Sequence, residues 1–314
     1  MTATVTTAGA PVRRIDDGLW RWLLRTRAER PQEIAAAYAQ RLRPAGLLGP
    51  RGTLFLVAAD HPARGALGSG GDALAMADRR GLLERLVTAL EHPDVDGVLG
   101  SPDVVEELLL LGALEGKVVI GSMNRGGLDG ADWTMDDRFT GYDAARIRAF
   151  GLQGGKMLLR IDDEDAGTAS TLEACARAVS DLAAAGLMAM VEPLPYARDA
   201  DGRPRLVTAP AALARAVTVA SALGTTSART WLKLPAGEDP GLVFGATTLP
   251  CVVLGGAPGP DAAADLASWG RTLREPVVRG LVVGRSLLYP PDGDVRRAVD
   301  SAAALLHAAE GDQS

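Results

Sequence analysis

Eight short apolar runs alternating with longer Ala/Leu/Arg-rich stretches of helical period predict an α/β fold, a (β/α)8 TIM barrel with an N-terminal helical extension. The chain length of 314 residues suits one such barrel with extra terminal elements. Many of the apolar runs are rich in β-branched residues and are separated by helix-length segments, the pattern of parallel strands joined by crossover helices. A doubly wound open sheet shares this alternation and is the alternative architecture.

Residues 16–43 read as two helices, DDGLWRWLLRTRAER and PQEIAAAYAQRLR, with Pro31 at a helix start, where its missing N–H is harmless. The division expected is a helical extension over 1–50 and a barrel domain over 51–314. The eight strands are TLFLVAAD (53–60), VDGVLG (95–100), KVVIGS (117–122), GKMLLRI (155–161), LMAMVEP (187–193), TWLKLP (230–235), CVVLGG (251–256) and GLVVGR (280–285). Amphipathic helices lie between several of them, at 78–92 and 170–186, and GYDAARIRAFGLQ precedes the fourth strand. Trp20 and Trp22 cannot face one way, so their helix is expected to cap the bottom of the barrel; its apolar surface also fits a homo-oligomer.

Composition narrows the function. A hydrophobic content of 47% with 23% charge is globular, and a net charge of −6 argues against nucleic acid or anionic membrane as partner while leaving room for a local anion pocket. The first residues lack the apolar core of a secretory signal, and no apolar run approaches the roughly 18 residues that span a bilayer, so a cytoplasmic protein is expected. Cys175 and Cys251 have neither redox nor metal spacing and read as core packing. Of three histidines only His61 lies near a strand end, so neither a metal centre nor a cofactor is expected. GSGGDA at 68–73 lacks the last glycine of a dinucleotide fingerprint and reads as a loop over the barrel mouth.

Barrels place their chemistry at the C-terminal ends of the strands. The chain has 33 basic residues, and only Lys117, Lys156 and Lys233 are lysines. Lys117 opens a strand, whereas Lys156 and Lys233 lie inside strands, where burial and mutual repulsion favour a neutral amine. A neutral amine attacks a ketone or aldehyde to form a Schiff base, which a guanidinium cannot do. Glu192 ends the fifth strand and suits proton transfer near an iminium, or a salt bridge to a barrel lysine. Asp60 ends the first strand and suits holding the lysines or capping its loop. Gly255, Gly256, Gly284, Arg285 and Ser286 end the last two strands, where barrels commonly bind phosphate. Arg64, just after strand one, completes the substrate-binding candidates.

VAADHPARGAL, GGKMLLRI, MVEPLPY, TWLKLP and GLVVGRSLLYP, in that order, resemble the strand motifs of class I Schiff-base aldolases, the tagatose-bisphosphate, archaeal fructose-bisphosphate and deoxyribose-phosphate group. The resemblance spans roughly 53–290 and implies Lys233 as the iminium-forming residue, Glu192 as proton shuttle, and Lys156 and Asp60 as supporting polar groups. The whole chain is most similar to actinobacterial (β/α)8 proteins associated with inositol catabolism. That similarity implies cleavage of 5-dehydro-2-deoxy-6-phosphogluconate into dihydroxyacetone phosphate and malonate semialdehyde. Pro62 and Ala63 stand before Arg64 where the family motif often has Arg or Gly directly after Asp-His or Asp-Gln. Three rival readings stay open from the residues: an aldolase for another sugar phosphate, a non-catalytic sugar-phosphate barrel, and a doubly wound nucleotide-binding protein.

Overall fold

The computed structural model describes residues 14–49, 51–256, 259 and 261–312. Two helices come first, α1 (Asp17–Glu29) and α2 (Gln32–Gln40); the Asp16 side chain caps α1 by accepting from Leu19 N at 2.7 Å. Then follow β1 (Leu54–Ala59), α3 (Arg79–Leu90), β2 (Gly97–Gly100), α4 (Pro102–Leu110), β3 (Val118–Ser122), α5 (Ala144–Ala149), β4 (Gly154–Ile161), α6 (Gly167–Ala184) and β5 (Met188–Arg198). The chain continues through β6 (Pro204–Leu206), α7 (Pro210–Ser221), β7 (Thr230–Pro235), α8 (Pro240–Phe244), β8 (Cys251–Leu254), α9 (Ala262–Thr272), β9 (Val278–Val283), α10 (Arg285–Leu288) and α11 (Val295–Asp312).

Eight of these strands are parallel and close into a ring. Neighbours run β4-β3-β2-β1-β9-β8-β7-β5, and β5 returns to β4 with Lys156 opposite Met190 and Leu158 opposite Glu192. Closure rules out the open-sheet alternative and leaves no exposed edge in the ring. The eight strands fall where the apolar runs predicted them. The short β6 pairs antiparallel with the far end of β5, Tyr196 opposite Leu206, and forms a hairpin that the sequence reading missed.

Two apolar cores result from the two faces of each strand. Odd positions such as Phe55, Val57, Met157, Leu159 and Val191 pack outward under the helices, together with Cys175 and Cys251, both buried and free. Leu54, Leu56, Val118, Ile120, Met188, Met190, Val252 and Val282 fill the interior toward the N-terminal ends of the strands.

The cap expected of the tryptophan helix is supplied elsewhere. Leu47, in the segment joining α2 to β1, packs with Trp231 against the interior cluster. Helix α1 lies on the outside, where Arg27 pairs with Glu106 of α4 at 3.2 Å; Trp20 packs on the outer core while Trp22 stays 37% exposed. Helix α2 is fixed by Tyr38, stacked on Phe150 with centroids 4.1 Å apart and hydrogen-bonded to the Tyr142 hydroxyl at 2.6 Å. Among the described residues no helix is long and apolar enough to cross a membrane.

Candidate active site

The same alternation that builds the apolar interior carries charge into it one or two steps further along each strand. Asp60 follows the inward Leu54, Leu56 and Ala58, and Glu192 follows Met188 and Met190. Lys156 shares the inward face of β4 with Leu158 and Arg160, and Lys233 follows Trp231 on β7. All of these charged side chains are buried.

They form a continuous chain of alternating sign. Lys233 Nζ donates to Glu192 Oε1 at 2.8 Å, and the other Glu192 oxygen pairs with Lys156. Lys156 Nζ also donates to Asp60 Oδ2 at 3.3 Å, and that oxygen accepts from Ser122 Oγ at 3.0 Å. Arg125 closes the chain, with Nη2 at 3.0 Å from Asp60 Oδ2 and Nη1 donating to the Asp60 carbonyl at 3.1 Å. Buried charges are stable only when paired and hydrogen-bonded, and each member here has at least one partner of opposite sign.

These contacts set the protonation states. Burial works to raise the Glu192 carboxyl, but Lys156 and Lys233 outweigh it and hold it below the usual carboxylate range. Asp60 is likewise raised by burial, yet Arg125 and Lys156 bring it well below that range. Burial pushes the Lys156 ammonium down to about 8 against the pull of Asp60 and Glu192. His61, beside Asp60 at 4.0 Å, is pushed down to about 3 by burial and is therefore a neutral imidazole at physiological pH. The chain holds three cations, Lys233, Lys156 and Arg125, against the two carboxylates of Glu192 and Asp60, so it can lose one proton and be left balanced.

The glycine-rich strand ends border the same mouth. A Cβ on Gly284 would lie 2.4 Å from the Ala58 carbonyl oxygen and 2.8 Å from His61 Cε1, so glycine is required there. Gly256 has φ +67°, the left-handed region that glycine adopts without strain. Arg285 Nη1 donates to the Gly68 carbonyl at 3.3 Å, which sets the 68–73 loop against the mouth. The Arg285 Nε and Ser286 Oγ atoms are buried and have no hydrogen-bond partner among the described residues. Ser286 also borders a cavity of about 340 Å³ formed by α9, α10 and α11, with Trp269 in its wall.

Arg64, expected among the substrate-binding residues, is engaged by protein acceptors in the structure. Its guanidinium donates from Nη2 to Asp137 Oδ2 at 3.1 Å and from Nη1 to the Gly127 carbonyl at 3.1 Å, so protein acceptors occupy it. The intervening Pro62 and Ala63 start a single 3-10 turn, Pro62–Arg64, that carries the side chain there. Sequence reasoning missed Arg125 and Asp137. Arg125 stands just past the end of β3, and inspecting that strand end as the others were inspected would have found it. Asp137 lies in the long β3–α5 connection, where nothing in the sequence sets it apart. Lys117, on the N-terminal side of β3, donates to the Val95 carbonyl at 2.6 Å and has a structural role. Among the described residues no group of three or more His, Cys, Asp or Glu side chains is arranged to hold a metal ion.

A family model described as Cgl0159-like matches residues 52–303. The crystal structure of Cgl0159 from Corynebacterium glutamicum (Brevibacterium flavum) is 49% identical, with a TM-score of 0.90 over 94% of this chain and 98% of that one. An archaeal fructose 1,6-bisphosphate aldolase superposes with a TM-score of 0.61 at 18% identity, covering 88% of this chain and 99% of that one. A Schiff-base-forming fructose-1,6-bisphosphate aldolase, solved with reaction intermediates, gives 0.60 at 17% identity over 88% of this chain and 99% of that chain. At these identities the likeness to the aldolases is one of fold. No curated protein matches the chain.

Proposed function

The chain belongs to the Cgl0159-like family, and from that premise we propose that it is a class I, metal-independent aldolase acting on a phosphorylated keto sugar acid through a Schiff base on Lys233. The observation that carries the reading is the Glu192 carboxylate shared by two buried lysines, with Lys233 Nζ 2.8 Å from it. Neutralising Lys233 sacrifices one ion pair, whereas neutralising Lys156 would sacrifice two. Lys233 is therefore assigned as the free amine, and Lys156 as the cation that keeps Glu192 ionised.

In the proposed reaction the Lys233 amine adds to the substrate ketone carbon, and the carbinolamine loses water to give an iminium. Glu192 then takes the proton of the hydroxyl β to the iminium carbon. The electron pair of the breaking C–C bond moves into the iminium to form an enamine, and an aldehyde departs. Reprotonation of the enamine carbon and hydrolysis of the iminium release the ketone phosphate and restore the amine. Asp60 holds Lys156 and Arg125 throughout, and the substrate phosphate is assigned to Gly255, Gly256, Gly284 and Arg285, where backbone N–H groups and a cation are available. The substrate that best fits an acid at one end and a phosphate at the other is 5-dehydro-2-deoxy-6-phosphogluconate, an intermediate of inositol catabolism. Its products would be dihydroxyacetone phosphate and malonate semialdehyde.

Borohydride reduction of the protein with dihydroxyacetone phosphate, followed by peptide mass mapping, tests the assignment. A reduced adduct on Lys233 is expected. An adduct on Lys156 would reassign the nucleophile, and saturable binding without any adduct would turn the reading to a non-catalytic sugar-phosphate barrel.

A further inference from the structure

Buried polar atoms without a partner are uncommon in folded proteins, and a cluster of them points to a ligand. Three gather around Gly284. Arg285 Nε, His61 Nδ1 and Ser69 Oγ are all buried and have no hydrogen-bond partner among the described residues. His61 reaches Gly284 from the end of β1, with its Cε1 2.8 Å from the point that a Cβ on Gly284 would occupy. Ser69 reaches Arg285 from the β1–α3 connection, next to the Gly68 carbonyl that Arg285 Nη1 holds at 3.3 Å.

The loop is built to turn Ser69 inward. Ser69 N donates to the Asp72 carbonyl at 3.0 Å and Asp72 N returns to the Ser69 carbonyl at 3.2 Å, which closes a tight turn over Gly70 and Gly71. Asp72 Oδ1 accepts from Leu74 N at 2.8 Å, and Met76 N donates to the Leu67 carbonyl at 3.0 Å while the Met76 side chain is anchored in the outer core. Gly70, Gly71 and Asp72 are exposed, whereas Ser69 is 8% exposed and its hydroxyl is fully covered. A serine at a turn tip is ordinarily solvated. This one faces the protein, where Arg285 is its neighbour.

His61 forms the adjoining wall. Its Nδ1 lies 4.0 Å from Asp60 Oδ1, and the 21% of the side chain that is exposed leaves the opposite edge, with Nε2, open to the mouth. No protein partner holds Nδ1, so the tautomer is not fixed, and an anion at Nε2 selects the form with its proton there. Ser286 Oγ, also unpartnered, lines the outer cavity between α9 and α11 and does not belong to this cluster.

We infer that Ser69 and His61 are ligands of the phosphate site, laying a hydroxyl and an imidazole on a phosphate monoester held at Gly284 and Arg285. The inference rests on the aldolase reading for the presence of a phosphate there. Strand β1 neighbours β9 in the ring, so the two donors approach the cradle from the side away from β8 and add a third strand end to it. A phosphate offers three terminal oxygens, and hydrogen bonds to an ionised acceptor are the strong ones. The Arg285–Gly68 contact ties the loop to the same cradle, so the 68–73 turn becomes a wall of the phosphate site.

Calorimetry with glycerol 3-phosphate, a three-carbon phosphate monoester without a ketone, tests the site apart from turnover. The wild type is expected to bind it saturably. Ser69→Ala and His61→Ala should each weaken binding by about tenfold or more, the size of a hydrogen bond to a charged group. Two conservative variants separate contact from packing: Ser69→Thr keeps the hydroxyl, and His61→Gln carries an amide N–H where Nε2 was. Both should stay within a few-fold of wild type, whereas a serine that served packing alone would tolerate alanine and not threonine. Wild-type affinity in a Ser69→Ala or His61→Ala protein that circular dichroism shows to be folded overturns the assignment of that residue. Borohydride trapping gives a second readout. The wild type should favour dihydroxyacetone phosphate over dihydroxyacetone, and each alanine variant should lose about tenfold of that preference. Weakened glycerol 3-phosphate binding in the variants, with no adduct in the wild type, sinks the aldolase reading alone. An adduct on Lys233, with variants that bind like the wild type, sinks this inference alone.

Discussion

The floor of the barrel and its mouth are built from the same strands and the same inward face, yet they hold opposite chemistry. Leu54, Leu56, Met188 and Met190 fill the floor, and two to six residues further on the same rows carry Asp60 and Glu192. The floor is held by removal of apolar surface from water, which is non-directional and tolerant of small shifts. The mouth is held by charges that must meet at hydrogen-bonding distance, and it is stable only while each is paired. Stability and function are thus separated by height along the strands, and substitutions at the two levels should fail in different ways.

Lys233→Ala should break the mouth most completely. Aldol cleavage is expected to drop on the order of 10⁴-fold or more with no borohydride adduct, and the fold should survive because Glu192 keeps Lys156; turnover and circular dichroism check both. Glu192→Gln should combine both kinds of failure. Activity is expected to fall about 10²- to 10⁴-fold through loss of proton transfer. Stability should fall by about 3–5 kcal/mol, since two buried lysines lose their common partner, as denaturant unfolding would register. Leu56→Ala, in the floor, should cost about 2–5 kcal/mol in the same unfolding assay, with kcat close to wild type at a temperature where the variant is folded.

The smallest effects come from pH. Burial holds the Lys156 ammonium down at about 8 in the folded protein, so above that pH it ceases to be the cation beside Glu192, and aldol turnover should fall a few-fold from about pH 7 to 9. An unfolded lysine holds its proton up to its ordinary value of 10.5, so between 8 and 10.5 the unfolded chain binds more protons and this group's contribution to stability increases with pH. Glu192 and Asp60 act in the acid range. Their folded values lie below the unfolded ones, so the stability they confer is complete above about pH 5 and is lost as pH falls through their folded range. A thermal-unfolding series across pH measures both limbs.

Much of this arrangement can be read from residue order. TWLKLP and GGKMLLRI place a lysine at an interior strand position, and their scarcity among 33 basic residues marks them. Arg125 and Asp137 escape because each lies in an irregular segment, and no local period assigns a loop side chain to a face. Arg64 was legible as a residue near the mouth, but its partner, 73 residues away, was not. The β6 hairpin escaped because Pro204–Leu206 is only three residues long, too short to show alternation.

The sequence alone determined the eight barrel strands, their order along the chain, and which side chains alternate inward, since a period of two residues is a local property of extended backbone. Tertiary structure alone decided that Lys233 meets Glu192 across 41 residues and that Lys156 meets Asp60 across 96. The first meeting follows from pairing β7 beside β5 and the second from closing the ring so that β4 faces β1 across the interior, and the heights at which charges meet are set by the register between neighbouring strands, which no single strand encodes.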